Sequence, residues 1–118
     1  MYGLPPEADL SFLRDQTLLQ VCIGLHELIL NFDQGVSITI TSSIGFAFPE
    51  GTYHRYDDFR EAAAVTSALL NQQVLSATGQ ADGTLSLKFG GCSRLDVFDN
   101  SKQYESYTIR NREHLIVV

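Results

Sequence analysis

Two short tyrosine-containing segments hold the residues of this chain whose types could do chemistry. Tyr104, Glu105 and Tyr107 lie in the run YESY, and Tyr53 and Tyr56 lie in the run YHRY. Side chains alternate between the two faces of a strand, so Glu105 and Tyr107 would share one face. Tyrosine combines an apolar ring with a polar hydroxyl and is enriched in protein interfaces. We interpret these residues as candidate contacts with a partner, the alternative being ordinary tyrosines at the edge of the core.

The three histidines are His26, His54 and His114, and they are scattered along the chain. None lies four residues from another, as on a helix, or two residues away, as on a strand, where a pair could share a metal ion. His26 alternates onto the side of Leu28 and Leu30, which suits either a satisfied histidine at the core edge or a pocket residue. The sequence therefore predicts no metal site and keeps His26 as a tentative binding residue.

No catalytic constellation is recognisable in the sequence. Gly90-Gly91 is interpreted as a hairpin turn, because no helix follows it that could hold an anion. The adjacent carboxylates Asp57 and Asp58 stand at a predicted helix start, where capping accounts for them. These observations predict no catalytic residue and no cofactor, and they favour a role that is not enzymatic.

The composition restricts the classes of partner. The formal net charge is −6, with 14 acidic and 8 basic residues, whereas a nucleic-acid binder needs a basic face against the phosphates. No apolar run approaches the roughly 20 residues that span a bilayer, and the first residues do not resemble a secretory leader. Cys22 and Cys92 are too few for a disulfide scaffold and are interpreted as small buried residues. We therefore expect a cytoplasmic protein that binds neither nucleic acid nor membrane.

Most of the chain is predicted to form β-strands, because apolar and polar residues alternate between turn signals such as Asp33-Gln34-Gly35. The predicted strands are 18–24, 26–33, 36–42, 74–80, 84–90, 93–99, 104–110 and 114–118. Residues 44–53 suit a strand or a loop. The alanine-rich segment 57–72, with Asp57 or Asp58 as its N-cap, is predicted to be the one main helix.

The chain also repeats a sequence pattern. ELILNFDQGVSITIT (27–41) aligns without a gap on TLSLKFGGCSRLDVF (84–98), with the apolar alternation kept and the polar residues changed. Including the matches upstream, the related segments are about 12–42 and 68–99. A lone hairpin is only marginally stable in water, so the two units must bury their apolar faces together. We predict one domain over 1–118 with an internal duplication, of the α+β class: a mainly antiparallel, curved or barrel-like sheet with the helix packed on it.

Four stretches carry a resemblance to a known family: QVCIGLHELILNFD, DGTLSLKF, LDVFDNSKQYESYTI and the closing LIVV. Together they resemble a family of small bacterial proteins that has no assigned function, over most of the chain. The most particular piece is DNSKQYESYTI (99–109), in which an acidic turn precedes Tyr-Glu-Ser-Tyr. The resemblance implies likeness of fold and no reaction, cofactor or catalytic residue.

Two hypotheses of function follow from these patterns. The first is a protein-binding module: a homodimeric interaction domain, or an acidic inhibitor of the immunity type that blocks a basic toxin. The second is a small-molecule-binding protein or enzyme with a pocket between the repeats, lined by His26, Tyr104, Glu105 or Tyr107. Negative charge and exposed tyrosine clusters favour the first hypothesis.

Overall fold

The computed structural model of the chain describes residue 4 and residues 9–100, 105–112 and 114–118. The strands are β1 (Leu18–Ile23), β2 (Leu28–Phe32), β3 (Val36–Ile40), β4 (Ile44–Ala47), β5 (Tyr53–Tyr56), β6 (Val74–Gly79), β7 (Leu85–Phe89), β8 (Arg94–Val97), β9 (Tyr107–Asn111) and β10 (His114–Val117). The α-helix is α1 (Phe59–Thr66), and short 3₁₀ turns are formed by Ser11–Leu13 and Ser67–Leu69.

Within the described part of the chain, the strands form two antiparallel sheets of five strands each. The first sheet has the order β1-β2-β3-β9-β10, and the second has the order β5-β4-β8-β7-β6. The first three strands, β1–β3, therefore share a sheet with the C-terminal hairpin β9–β10. The strands β6–β8 share the other sheet with the hairpin β4–β5. The predicted α+β class, antiparallel pairing and single main helix are confirmed. The strands form two open sheets, and not one closed barrel, because the chain changes sheet after β3 and again after β8.

The two sheets share one hydrophobic core. Alternate side chains of the strands, such as Leu28 and Leu30 in the first sheet and Leu85 and Leu87 in the second, are fully buried in a single cluster. The intervening side chains of these strands lie on the outer faces of the sheets. Because the strand period is two residues, the sequence alternation already fixes which residues face the core.

The two halves meet through matched backbone hydrogen bonds. The N–H of Asp15 donates to the carbonyl of Val74, and the N–H of Asn71 donates to the carbonyl of Leu18, both at 2.8 Å. Asp15 and Asn71 both have a left-handed φ of 69°, which aspartate and asparagine tolerate better than most residues. These four residues are aligned in pairs in the two related segments. The internal duplication stays a prediction, and the matched bonds support it.

Helix α1 is shorter than the predicted helix, and its cap is the expected one. Asp58 accepts a hydrogen bond from the N–H of Arg60, which is confirmed N-capping. Ala62 and Thr66 are buried against the sheets. The chain then continues through the 3₁₀ turn Ser67–Leu69 into the strand β6.

Two details differ from the sequence interpretation. The segment YHRY forms the strand β5, which pairs with β4 at the edge of the second sheet. Cys92 is exposed because it lies in the turn between β7 and β8 with a φ of 71°, and Cys22 is half-buried. The prediction of a buried cysteine is therefore wrong for Cys92. Both thiols are free.

Candidate functional site

The YESY segment is divided between core and surface. Tyr107 is 1% exposed, and its hydroxyl donates to the carbonyl of Gly83 at 2.7 Å. Burial, with the negative charges of Asp99 and Asp82 nearby, raises the pKa of the Tyr107 phenol far above its usual range. The Tyr107 side chain is thus a core element.

The remaining predicted residues lie at different places on the surface. Glu105 is exposed, and Tyr104 lies outside the described residues. Tyr53 and Tyr56 are both on β5, where Tyr53 is 44% exposed and Tyr56 is half-buried against the core. His26 is exposed in the loop between β1 and β2. The structure brings Tyr53 and Tyr56 onto one strand, and it places His26 on the surface and Tyr107 in the core.

A hydrogen-bonded network around Asp96 occupies the outer face of the second sheet. Asp96 is only 5% exposed. Its carboxylate accepts hydrogen bonds from the Tyr53 hydroxyl at 2.8 Å and the Ser86 hydroxyl at 2.7 Å. Arg94 donates to it from both Nε and Nη2 at 3.2 Å. The carboxylate is therefore fully partnered, and each partner is fixed in position by it.

Tyr53 reaches Asp96 across Gly45. A Cβ atom at Gly45 would lie 1.9 Å from the Tyr53 hydroxyl oxygen, so the strand β4 needs a glycine at this point. Desolvation, with the hydrogen bond to Asp96, raises the pKa of Tyr53 to about 12. The Arg94 guanidinium lies 5.4 Å from the centre of the Tyr53 ring, and its hydrogen bonds to Asp96 raise the Arg94 pKa.

A pocket with apolar and charged lining residues lies where the β1–β2 loop meets the start of α1. This tip pocket has a volume of about 500 Å³ and is lined by Ile23, Gly24, Leu25, Asp57, Asp58, Phe59 and Arg60. Leu25 is 86% exposed and Ile23 is 49% exposed. An exposed leucine beside a pocket is typical of interaction sites, because its apolar surface is removed from water only when a partner covers it.

The charges at the tip pocket are mixed, with an acidic excess. Arg55 pairs with Asp57 at 3.1 Å, and Arg60 pairs with Asp58 at 3.4 Å. All four side chains are well exposed, so water screens both pairs and they contribute little to the stability of the fold. Hydrogen bonds from Arg60 lower the pKa of Asp58. These carboxylates can exchange their arginines for other cations at little cost.

A larger and more polar groove lies beside the β2–β3 turn and the β9–β10 turn of the first sheet. Its volume is about 640 Å³, and it is lined by Phe12, Gln16, Gln34, Val36, Asn111, Arg112 and His114. Among the described residues, no group of histidine, cysteine or carboxylate side chains is arranged to hold a metal ion. In the same part of the chain, no helix has the length and apolar character needed to cross a membrane.

Sequence reasoning missed the Leu25 tip and the Asp96 network. Leu25 does not share the alternation of Leu28 and Leu30. A leucine in a short connection between two predicted strands was the signal that could have indicated an exposed apolar residue. The network had a weaker signal, since Tyr53 and Asp96 are far apart in sequence. Only the pairing of β5, β4 and β8 brings them together.

The fold and these surfaces define a small α+β domain that has an exposed tip with acidic surroundings and a polar network centred on the buried carboxylate of Asp96. The chain belongs to the family of unknown function DUF6188, which it matches over residues 10–118. The resemblance to an uncharacterised family is thereby confirmed. Comparison with curated proteins and comparison with solved structures found no match.

Proposed function

We propose that this protein is a non-enzymatic binding domain that holds a cationic, apolar segment of another protein at the tip pocket. The observation that carries the proposal is the 86% exposure of Leu25 beside a pocket that is lined in part by the apolar side chains of Ile23 and Phe59. Covering a leucine side chain fully contributes about 1.5–3 kcal/mol. A partner that covers Leu25 and fills the cavity would gain this free energy.

Charge complementarity selects the kind of partner. The segments that form the pocket contain Glu27, Asp57, Asp58 and Glu61, and the arginines beside them are Arg55 and Arg60. The whole chain carries a net charge of −6. A cationic partner is attracted by this field, whereas a second copy of the chain would bring the same negative charge to the contact. The proposal therefore favours a basic protein, such as the target of an immunity-type inhibitor, over a homodimer.

A cytoplasmic setting is part of the proposal. Cys22 and Cys92 are both free, and one of them is exposed. Exposed free thiols persist in a reducing compartment. The same proposal gives no role to nucleic acid, which would meet an acidic protein.

The test is a fluorescence anisotropy titration with two sets of short labelled peptides. One set has a central leucine or phenylalanine flanked by lysine and arginine, and the matched set has glutamate in place of the basic residues. We expect binding of the cationic set alone, weakened by salt because the attraction is screened. Leu25→Ser should weaken binding at least about tenfold, the equivalent of 1.4 kcal/mol.

Two control variants make the test specific. Leu115→Ser removes another exposed leucine, 51% exposed on β10, and should leave binding unchanged. Asp58→Asn keeps the helix cap and removes one charge at the pocket, whereas Asp82→Asn removes a charge in the β6–β7 turn. Equal effects of Leu25→Ser and Leu115→Ser, or equal binding of both peptide sets, would contradict the proposal. A dimer in light scattering that Leu25→Ser dissociates would assign the pocket to a second copy and would also contradict it.

A further inference from the structure

A pair of like charges lies on the outer face of the second sheet. Lys88 on β7 and Arg94 on β8 are direct partners in the strand register. Like charges opposite each other on neighbouring strands destabilise the pairing. Arg94 is bound to Asp96, whereas Lys88 is exposed and has no acidic partner within the described chain. An anion placed between the two cations would remove this repulsion.

The matching position of the first sheet shows that the strand pairing does not require these cations. Asn31 on β2 pairs with Ser37 on β3, and these residues align with Lys88 and Arg94 in the two related segments. The same register is thus built with neutral side chains. Strand pairing alone therefore does not explain the charged pair.

Arg94 is held ready for a ligand. Its Nε and Nη2 donate to Asp96, and its guanidinium lies over the Tyr53 ring. A guanidinium carries five N–H groups, and the hydrogen bonds to Asp96 use only two of them. Because Asp96 and Tyr53 fix the side chain, little conformational entropy remains to be lost when an anion binds. Asp96 is a positioning residue in this arrangement.

A small cavity adjoins the two cations. This cation pocket has a volume of about 320 Å³ and is lined by Ala47, Leu75, Lys88, Phe89, Cys92, Ser93 and Arg94. Leu75 is 53% exposed and is the extra residue at an irregularity in the pairing of β6 with β7. Such bulges turn a side chain away from its normal direction. Two cations at an apolar cavity of this size suit a small ligand that is charged at one end and apolar at the other.

We propose that the cation pocket binds a small amphiphilic carboxylate. The carboxylate would lie between the Lys88 ammonium and the remaining N–H groups of Arg94, and a short aliphatic group would cover Leu75. A free fatty acid of short chain and the C-terminal leucine of a peptide share this chemistry. The site is separate from the tip pocket, so it stands or fails independently of the protein-binding proposal.

The test is isothermal titration calorimetry of the full chain with probes that differ in one property. Octanoate and N-acetyl-alanyl-leucine carry both the negative charge and the aliphatic group. Octylammonium reverses the charge, and N-acetyl-alanyl-leucinamide lacks the carboxylate. Acetate and inorganic phosphate lack the aliphatic chain. We expect binding of octanoate or of the acyl dipeptide and at least about tenfold weaker binding of the other probes. Stronger binding of octanoate identifies a fatty acid as the source, and stronger binding of the dipeptide identifies a peptide terminus.

Variants locate the binding. Lys88→Gln should weaken octanoate or dipeptide binding at least about tenfold, and Arg110→Gln, which removes an exposed cation from the first sheet, should leave it unchanged. Circular dichroism of both variants checks that they fold. Equal affinity of wild type and Lys88→Gln, equal binding of phosphate, or no binding of either amphiphilic probe would overturn the proposal.

The exposed thiol gives a second readout. Cys92 lines the cavity, so in a Cys22→Ser background its alkylation by iodoacetamide reports on access to the pocket. We expect saturating octanoate or dipeptide to slow this alkylation, and Lys88→Gln to abolish the protection at the same probe concentration. Protection that persists in Lys88→Gln would place the ligand elsewhere and overturn the assignment.

Discussion

Replacing Gly45 by alanine should release Tyr53 from Asp96. The added methyl carbon would lie 1.9 Å from the Tyr53 hydroxyl oxygen and 3.0 Å from the Phe98 ring, whereas ordinary contacts begin at 3.4 Å. The hydroxyl must therefore move by about 1.5 Å. A hydrogen bond of 2.8 Å to Asp96 does not survive a displacement of that size.

The expected change in stability is small, because two effects oppose each other. Loss of a hydrogen bond to a charged group costs about 1.5–3 kcal/mol when it is buried, and less here because Tyr53 is 44% exposed. Alanine in place of glycine contributes about 0.4–1 kcal/mol by restricting the unfolded chain. A net loss of roughly 1 kcal/mol is therefore expected, and the protonation of Tyr53 is the sharper readout.

The assay is a spectrophotometric titration of tyrosine ionisation. In the wild type, burial and Asp96 hold the Tyr53 pKa at about 12, above the ordinary value of 10.0. A pKa raised by folding contributes stability that is complete below pH 10 and is lost as pH rises through the folded pKa. Gly45→Ala should bring one phenol back towards 10, and the alkaline loss of stability should become smaller.

Gly90→Ala is the matched control for this titration. Its added carbon would meet its nearest neighbour, the Gln73 carbonyl, at an ordinary 3.9 Å, so it tests the effect of the substitution alone. The titration of Gly90→Ala should follow that of the wild type, and Tyr53→Phe should remove the phenol that titrates near 12. A Gly45→Ala titration identical to the wild type would refute the contact that the structure assigns to Gly45.

Substitutions at four further positions test the fold. Tyr107→Phe removes a buried hydrogen bond of 2.7 Å and should lower the free energy of unfolding by about 1–2 kcal/mol in urea denaturation. An unchanged free energy of unfolding would show that the hydroxyl is not structural. Asp58→Ala should lower the midpoint of urea denaturation, because it removes the helix cap, and Asp58→Asn should leave the midpoint almost unchanged, since asparagine caps a helix as well as aspartate. Equal losses in the two variants would exclude capping as the reason. Replacing Asp15 or Asn71 by alanine should lower the free energy of unfolding by about 1 kcal/mol, because both residues have left-handed backbones. Glycine at either position should restore the stability. If the alanine and glycine variants are equally stable, the backbone carries no strain.

The sequence predicts the strands of this fold well, because most of them have one buried face. β2 and β3 alternate strictly between buried and half-buried residues, and the alternation of apolar residues that results is visible in the sequence. β5 was harder to recognise, since its residues 53–56 are mainly exposed and polar or aromatic. An edge strand with no buried face leaves no such pattern.

The division into two sheets could not be predicted from the pattern of residues. A strand that leaves its own hairpin to join the other sheet has the same alternation as one that stays. β4 and β9 make this exchange, and the sequence gives no local signal for it. Long-range pairing is decided by the summed packing of the core and not by the residues of one strand.

The candidate sites, like the division into two sheets, could not be predicted from the pattern of residues alone. Tyr107 and Tyr53 both occur in Tyr-x-x-Tyr segments, yet one is a core residue and the other lies on the outer face of a sheet. Side-chain type indicates what a residue can bind, and burial decides whether it is free to do so. The exposed tip at Leu25 is recognised only once its surroundings are known.

The most direct test of the proposed function is a nuclear magnetic resonance titration of the isotope-labelled protein with the tightest of the cationic peptides. If the tip pocket binds the peptide, the backbone amide signals of residues 23–27 and 57–60 will shift together and saturate, and Leu25→Ser will remove the shifts. Shifts confined to other surfaces, such as β10 or the outer face of the second sheet, would contradict the assignment of partner binding to the tip pocket.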